Sequence, residues 1–181
     1  MPNSAEKKSK TVFLGSTSAD LTDIRAELRQ LIPSLGFQII CFEDPQFIKK
    51  AGLHAHDICL DNVENCDIHL LIIDQRFGEE YAGANPTFEG KSITRAEVEV
   101  ALEKNKQICT FVRRRIWDEK GTWRWNKNKG IAIEPYYAKD PKVFEFIEFI
   151  TQQSTDNWVD QFEDSIELKR QVKERLLMLV R

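Results

Sequence analysis

The chain has 181 residues, 41% hydrophobic and 30% charged, with 26 Lys and Arg against 29 Asp and Glu for a formal net charge of −3. That length suits one domain with at most an appended helix, and the composition is that of an ordinary globule. The slightly acidic balance, with no basic block, excludes general nucleic-acid affinity, and no apolar run is long enough for a bilayer span.

The first residues, MPNSAEKKSK, lack a hydrophobic segment and so form no secretory signal; residues 1–10 are expected to be a flexible polar lead-in. Thr11–Gly15 (TVFLG) reads as a short buried strand. Ser16-Thr-Ser-Ala-Asp20 supplies capping groups for a helix to about Ser34, with Leu21, Ile24, Leu28, Leu31 and Ile32 at helical spacing and Gly36 as its stop. Phe37–Phe42 (FQIICF) is a second strand, followed by a loop with Pro45 and a helix over about Ala55–Asn65. His54 and His56 would not share a helix face, so they read as surface histidines rather than metal ligands. Ile68–Ile73 (IHLLII) is a third strand. Asp74–Lys91 is a long loop broken by Gly78, Gly83, Pro86 and Gly90.

Ser92–Ala101 (SITRAEVEVA) opens the next helix, and Gln107–Val112 (QICTFV) is a fourth strand. Arg113–Arg115 reads as a solvated strand end. From Ile116 to Gly130, Trp alternates with polar residues around a Gly, which predicts an exposed hairpin or lid at 116–130. Its Trp117, Trp123 and Trp125 either form a stacking platform or partner surface, or pack back on the sheet. Pro141–Gln153 is a helix and Trp158–Phe162 a short fifth strand. Glu163–Arg181 is an amphipathic helix carrying Leu168, Val172, Leu176 and Leu179. It has no stop signal, as expected of a chain that fronts a longer protein or of a helix that docks on a partner. Cys41, Cys59, Cys66 and Cys109 lack C-x-x-C spacing, which is reduced, cytoplasmic usage and neither a disulfide framework nor a zinc site.

Continuous apolar strands alternating with helices imply an α/β fold with helices on both faces of a parallel sheet. With right-handed crossovers this is a flavodoxin-like three-layer sandwich of four or five strands in the order 2-1-3-4-5 over residues 11–162, followed by the helix 163–181.

In such a sheet ligands bind at the carboxyl ends of the strands, where the strand order reverses, here between strands one and three. Gly15, Ser16, Thr17 and Ser18 follow the first strand; Asp74, Gln75, Arg76, Phe77 and Gly78 follow the third. Ser16, Thr17 and Ser18 offer hydroxyls and N–H groups to an anion at a helix start. Neither a P-loop nor G-x-G-x-x-G is present. The helix bearing Ser92, Thr94 and Glu97 begins beside them. At ~100° per residue, Glu97 falls among Ile93, Val100 and Ala101, while Glu99 sits with Arg95 and Glu103 on the wet face. A carboxylate turned toward a core costs free energy unless it is paired, hydrogen-bonded or placed in a cavity. The bland alternative is that Glu97 snorkels to water or pairs with a nearby Arg. Arg76 either holds a phosphate or pairs with Glu97, Phe77 either stacks on a base or packs, and Arg25 has a structural role, fixing the loop after strand one or pairing with Glu43 or Asp20.

VFLGSTSADLTDIRAEL, CDIHLLIIDQRFG and KSITRAEVEVALEKNKQICTFV together resemble domain-of-unknown-function family 4062. Modules of that kind commonly precede large signal-transducing NTPases of STAND or NACHT type, including bacterial immune proteins. Gly15-Ser16-Thr17 stands where the family favours Ser-Ser-Thr, Arg76-Phe77-Gly78 where it favours Arg-Tyr-Gly, and Ser92, Thr94 and Glu97 match its Ser-x-Thr-x-x-Glu. EVEVALEKNKQI is also similar in spacing to the Glu-Leu-Gly-Tyr-Ala…Gly-Lys-Pro stretch of nucleoside 2-deoxyribosyltransferases. Glu97 falls on their catalytic glutamate, Ala101 on their alanine and Lys106 on their lysine, with Val98, Glu99, Val100 and Asn105 departing. TIR domains are distant relatives in fold, and the active ones cleave NAD with a glutamate on the corresponding helix.

The resemblance implies an effector or signalling domain acting at an N-glycosidic bond, with Glu97 under the anomeric carbon as in retaining glycosidases. Ser16, Arg76 and Ser92 would bind phosphate or sugar, and Phe77 or a lid Trp would stack on the base. No second acid is evident. Nicotinamide leaves neutral and needs none, which favours NAD, with no cofactor or metal required. The rival expectation is a non-catalytic module for self-association or for binding a partner or downstream sensor.

Overall fold

The protein is described here by a computed structural model covering residues 9–17, 19–45 and 47–179. Residues 1–8 of the expected lead-in, Ser18, Gln46, and residues 180 and 181 of the expected C-terminal helix lie outside the described residues. The central strand β3 (Ile68–Ile73) is apolar at five of its six positions in IHLLII and buried throughout, as a strand covered on both faces must be. Around it, β1 (Thr11–Ser16), β2 (Gln38–Ile40), β4 (Gln107–Arg113) and β5 (Val159–Phe162) form one parallel sheet in the order β2-β1-β3-β4-β5. The five-stranded doubly wound order expected from the pattern is the one observed.

Side-chain alternation along the strands splits the core in two. Val12, Leu14, Ile68, Leu70 and Ile72 face α1 (Thr22–Ser34) and α6 (Ser165–Met178), where Leu28, Ile32, Leu168 and Val172 are fully buried. Each such side chain stabilises the fold by roughly 1.5–3 kcal/mol. Phe13, Leu71 and Ile73 face α2 (Ala55–Glu64), α3 (Ile93–Glu103), α4 (Arg114–Asn128) and α5 (Lys142–Thr151). Gly15 and His69, two residues from Phe13 and Leu71 respectively, point to this second face. No helix among the described residues is long and apolar enough to cross a membrane.

Three local expectations are overturned. The segment 116–130 is not a hairpin or lid but most of α4. Ile116, Trp123 and Lys127 recur at helical spacing; Trp123 packs on Phe144 with centroids 5.3 Å apart, while Trp125 faces outward under Lys129. The Trp–polar alternation was the two sides of a helix, and Gly121 costs it only about 1 kcal/mol. Arg113–Arg115 is not a solvated strand end: Arg113 and Arg115 grip buried Asp74 at 3.0 and 3.1 Å, and Arg114 pairs with Glu163. Finally, α1 has no side-chain cap, because its N-cap position falls on Leu21, which carries no acceptor, while the Thr17 hydroxyl bonds to Asp20.

Candidate active site

The carboxyl ends of β1 and β3 lie side by side, with Gly15 paired to Leu71 and Ser16 to Ile72. Above them opens a cavity of about 360 Å³ whose wall includes Ser16, Thr17, Arg76, Gly78, Thr94 and Glu97. The loop after β3 folds back on the start of α3: Ile93 N–H donates to Glu79 O at 2.9 Å and Tyr81 N–H to Lys91 O at 2.8 Å. Ser92 caps α3, its Oγ accepting from Arg95 N–H at 3.2 Å. Thr94 and Glu97, three apart on one face of that helix, are thereby turned into the cavity.

Glu97 is 7% exposed, and among the described residues its carboxyl has no hydrogen-bond or ion-pair partner. It neither snorkels nor pairs with Arg76. Burial pushes it up to about 8, opposed only by the charge of Arg25. Glu99, by contrast, is held at the surface by Lys91 at 2.6 Å and Arg95 at 2.9 Å.

Arg25 enters from α1 and is 4% exposed. Its guanidinium donates to both Glu43 oxygens at 2.6 Å, to Leu14 O at 3.3 Å and to Ser16 Oγ at 2.7 Å. Burial works against its charge, but the Glu43 bonds outweigh that and it stays a cation. The Arg25 bond draws the Glu43 carboxyl down to about 2. Arg25 thus fixes the Ser16 hydroxyl while its own charge is spent on Glu43.

Gly15 is where the floor comes closest. A Cβ there would lie 2.7 Å from His69 Cε1 and 3.5 Å from Glu97 Oε2, so only glycine leaves room for the imidazole. His69 is fully buried, stacked on Phe13, and neither ring nitrogen has a hydrogen-bond partner among the described residues. Burial drives it down to about 3, so the ring is neutral.

Of the residues expected at the site, Ser16, Thr17, Arg76, Gly78, Thr94 and Glu97 share the cavity wall. Gly78, at φ +99°, sits where a Cβ would lie 3.2 Å from Thr94 Oγ1 and 3.4 Å from Thr17 Cγ2, so its bare backbone lets two turns and a helix meet. Arg76 is exposed and has no carboxylate partner among the described residues. Ser92 is not in the wall; it is fully buried as the α3 cap. Phe77 is not in the wall either: it packs edge-on against Phe146 of α5, 6.3 Å away, beneath Lys142. Residue 77 takes that side because Gly78 turns the chain away after it. Neither Trp117, Trp123 nor Trp125 reaches the cavity, since α4 packs on α5. Ser18 lies outside the described residues.

Sequence reasoning missed Phe42 and His56, both in the wall, and gave Arg25 only a structural part. Phe42 is 57% exposed, an aromatic face at the cavity rim. Its place just past β2, at the same sheet edge, was the available signal. His56 gave none, because the fold of the loop over it is not local. Among the described residues no group of three or more His, Cys, Asp or Glu side chains is placed to hold a metal ion.

The chain belongs to the family described as a domain of unknown function (DUF4062), whose model matches residues 11–177. No curated protein sequence matches it. Among solved structures it is similar to the Clostridium botulinum CMP N-glycosidase BcmB, at 12% identity over 92% of this chain and 99% of that one, with a TM-score of 0.49. It is also similar to a de novo designed Rossmann 2x3 fold protein, at 15% identity over 94% of this chain and 90% of that one, with a TM-score of 0.45. Neither likeness reaches the chemistry of the site, which rests on the residues above.

Proposed function

We propose that this domain is an effector or signalling module that acts at the N-glycosidic bond of a nucleotide or of NAD, with Glu97 as the nucleophile. The observation that carries this reading is the unpartnered carboxyl of Glu97 in the wall of an open cavity. A buried carboxylate without a partner is a standing cost to the fold, and groups with so strongly shifted an ionisation cluster at functional sites. The positive charge that develops on C1′ as the bond breaks is the partner Glu97 lacks. In a dry site that attraction is stronger than in water and draws Glu97 into its ionised form as the reaction proceeds.

The other groups suit a phosphorylated sugar. Arg76 is an uncompensated cation at the wall; Ser16, oriented by Arg25, and Thr94 present hydroxyls. Phe42 offers a ring for the base. Attack by a Glu97 oxygen on C1′ expels the base and leaves a glycosyl ester, which water then hydrolyses. The setting proposed is a bacterial immune or other signalling protein, in which further domains or a second copy would govern access to the site.

Incubation with NAD and with nucleoside monophosphates, followed by chromatography, tests the reading. Base release that vanishes in Glu97→Gln without loss of thermal stability supports it. Turnover retained in that variant ends the role of Glu97. No release at any protein concentration leaves the domain a non-catalytic association module.

A further inference from the structure

We propose that His56 donates a hydrogen bond from Nε2 to the departing base, so that the donor cleaved here is a nucleotide whose pyrimidine or purine leaves as an anion. This rests on the glycosidic reading above and narrows its substrate from the pair nucleotide or NAD.

His56 lies in the first turn of α2, in the wall of the same cavity as Glu97. The Ala82 N–H donates to its Nδ1 at 3.0 Å. In a neutral ring that bond puts the proton on Nε2, so the backbone of the loop after β3 selects the tautomer. The ring is also held edge-on to His54, 4.7 Å away, and beside Tyr81, 5.9 Å away. Among the described residues nothing accepts from the Nε2–H. The nearest acid, Glu79 Oε2, is 3.9 Å away, beyond hydrogen-bond length, on a side chain 89% exposed. Asp57 is occupied by the Tyr81 hydroxyl and the Ala84 N–H. Burial, with the neighbouring His54, holds the imidazole below its ordinary range. It is therefore a neutral, oriented donor at neutral pH.

His56 and Glu97 line one cavity. Cys59, three residues further along α2, shares the wall with both of them. His56 stands three residues toward the N-terminal end of α2, about 4.5 Å along the axis from Cys59. A sugar seated on Glu97 would direct its base toward that level.

The chemistry then discriminates between leaving groups. As Glu97 bonds to C1′, the C1′–N electron pair departs with the base. Nicotinamide leaves neutral and gains little from a donor. A pyrimidine or purine leaves with a negative charge on its ring, which the Nε2–H stabilises without transferring its proton. Water then attacks C1′ and frees the Glu97 carboxylate; one of its protons stays on the anomeric hydroxyl and the other goes to the base.

Two measurements on the whole chain decide this. Loss of one oriented donor costs about 10²–10³ in kcat, so His56→Phe should lower kcat by that factor on cytidine, uridine or adenosine monophosphate. KM, and turnover of nicotinamide mononucleotide, should stay within a few-fold. An equal loss on both classes, or no loss on either, overturns the proposal. Second, imidazole ¹⁵N–¹H correlation spectra of the Glu97→Gln protein should show an Nε2–H tautomer whose signal moves with these nucleotides and not with ribose 5-phosphate. An unmoved signal overturns the contact even where the wild type releases base. A moved signal with no base released by the wild type overturns the glycosidic reading and not the contact.

Discussion

Gly15 and His69 occupy one volume: the space a side chain at 15 would fill is taken by the imidazole rising from the neighbouring strand, with Cε1 and Nε2 at 2.7 and 2.8 Å from the would-be Cβ. Both obstructing atoms belong to a ring fixed by its stack on Phe13, so neither side can give way cheaply. Gly15→Ala should destabilise the fold by about 1–3 kcal/mol. His69→Ala in the same chain should recover part of that, with a coupling of at least about 0.5 kcal/mol in a double-mutant cycle by chemical denaturation. Additive losses would mean that the two residues do not share that space.

Glu97 should make stability fall with pH. Its carboxyl titrates near 4.5 when unfolded and about 8 when folded. The folded state therefore binds one more proton between those values; the contribution is fully present below the lower one and lost as pH rises through the upper. Glu97→Gln removes that slope, so its melting temperature should match the wild type near pH 5 and exceed it near pH 8.5. The gap corresponds to a few kcal/mol, on the order of its linkage. Parallel melting curves across that range would sink the assignment of Glu97 as a buried, unpaired acid. In turnover assays, wild-type kcat/KM should rise with pH toward the same upper value, because the nucleophile proposed at Glu97 is its ionised form.

Arg25→Met should cost about 1–3 kcal/mol, because Arg25 is buried but the Glu43 carboxylate left behind is partly open to water, which screens the pair. It should also remove the donor to Ser16 Oγ, leaving that hydroxyl with its own bond to Thr17 O at 3.1 Å. The Glu43 carboxyl, held at about 2 by Arg25, contributes stability that is present above its ordinary range near 4.5 and lost as pH falls through about 2. The variant should lack that acid-side dependence. An unchanged acid unfolding profile would contradict the pairing.

Arg76 is exposed and pairs with no carboxylate among the described residues, so Arg76→Ala should leave the melting temperature within about 0.5 kcal/mol of wild type in stability. It should raise KM for phosphorylated donors about tenfold or more, the loss expected for one charge-assisted bond. Equal KM values for phosphorylated and unphosphorylated donors in the wild type would remove the anion role.

Trp123 and Trp125 lie two apart on α4 but on opposite sides of it. Trp123→Ala opens a cavity against Phe144 and should cost about 3–5 kcal/mol, while Trp125→Ala should be near neutral. Neither should alter turnover per folded molecule, since both lie outside the cavity wall. A selective loss of turnover in either would restore a substrate-facing role for this segment.

The periodicity of the chain determined its strands, the parallel order and which edge carries the site. The apolar run IHLLII, short and bounded by polar residues, reads as a strand buried on both faces, and the helical spacing of Ile93, Val100 and Ala101 already put Glu97 on the inner side. These are local facts, legible because side-chain direction follows a period of two or 3.6 residues. Tertiary structure decided the rest. Whether Glu97 found a partner depended on where Arg25 spent its charge, and Glu43, which took it, is 18 residues away in sequence. Phe77 and Ser92 left the site because of what packs on them, and His56 entered it because Ala82, 26 residues on, folds over its Nδ1. Charge and hydrogen bonds are satisfied across the fold, between residues whose separation along the chain carries no period to read.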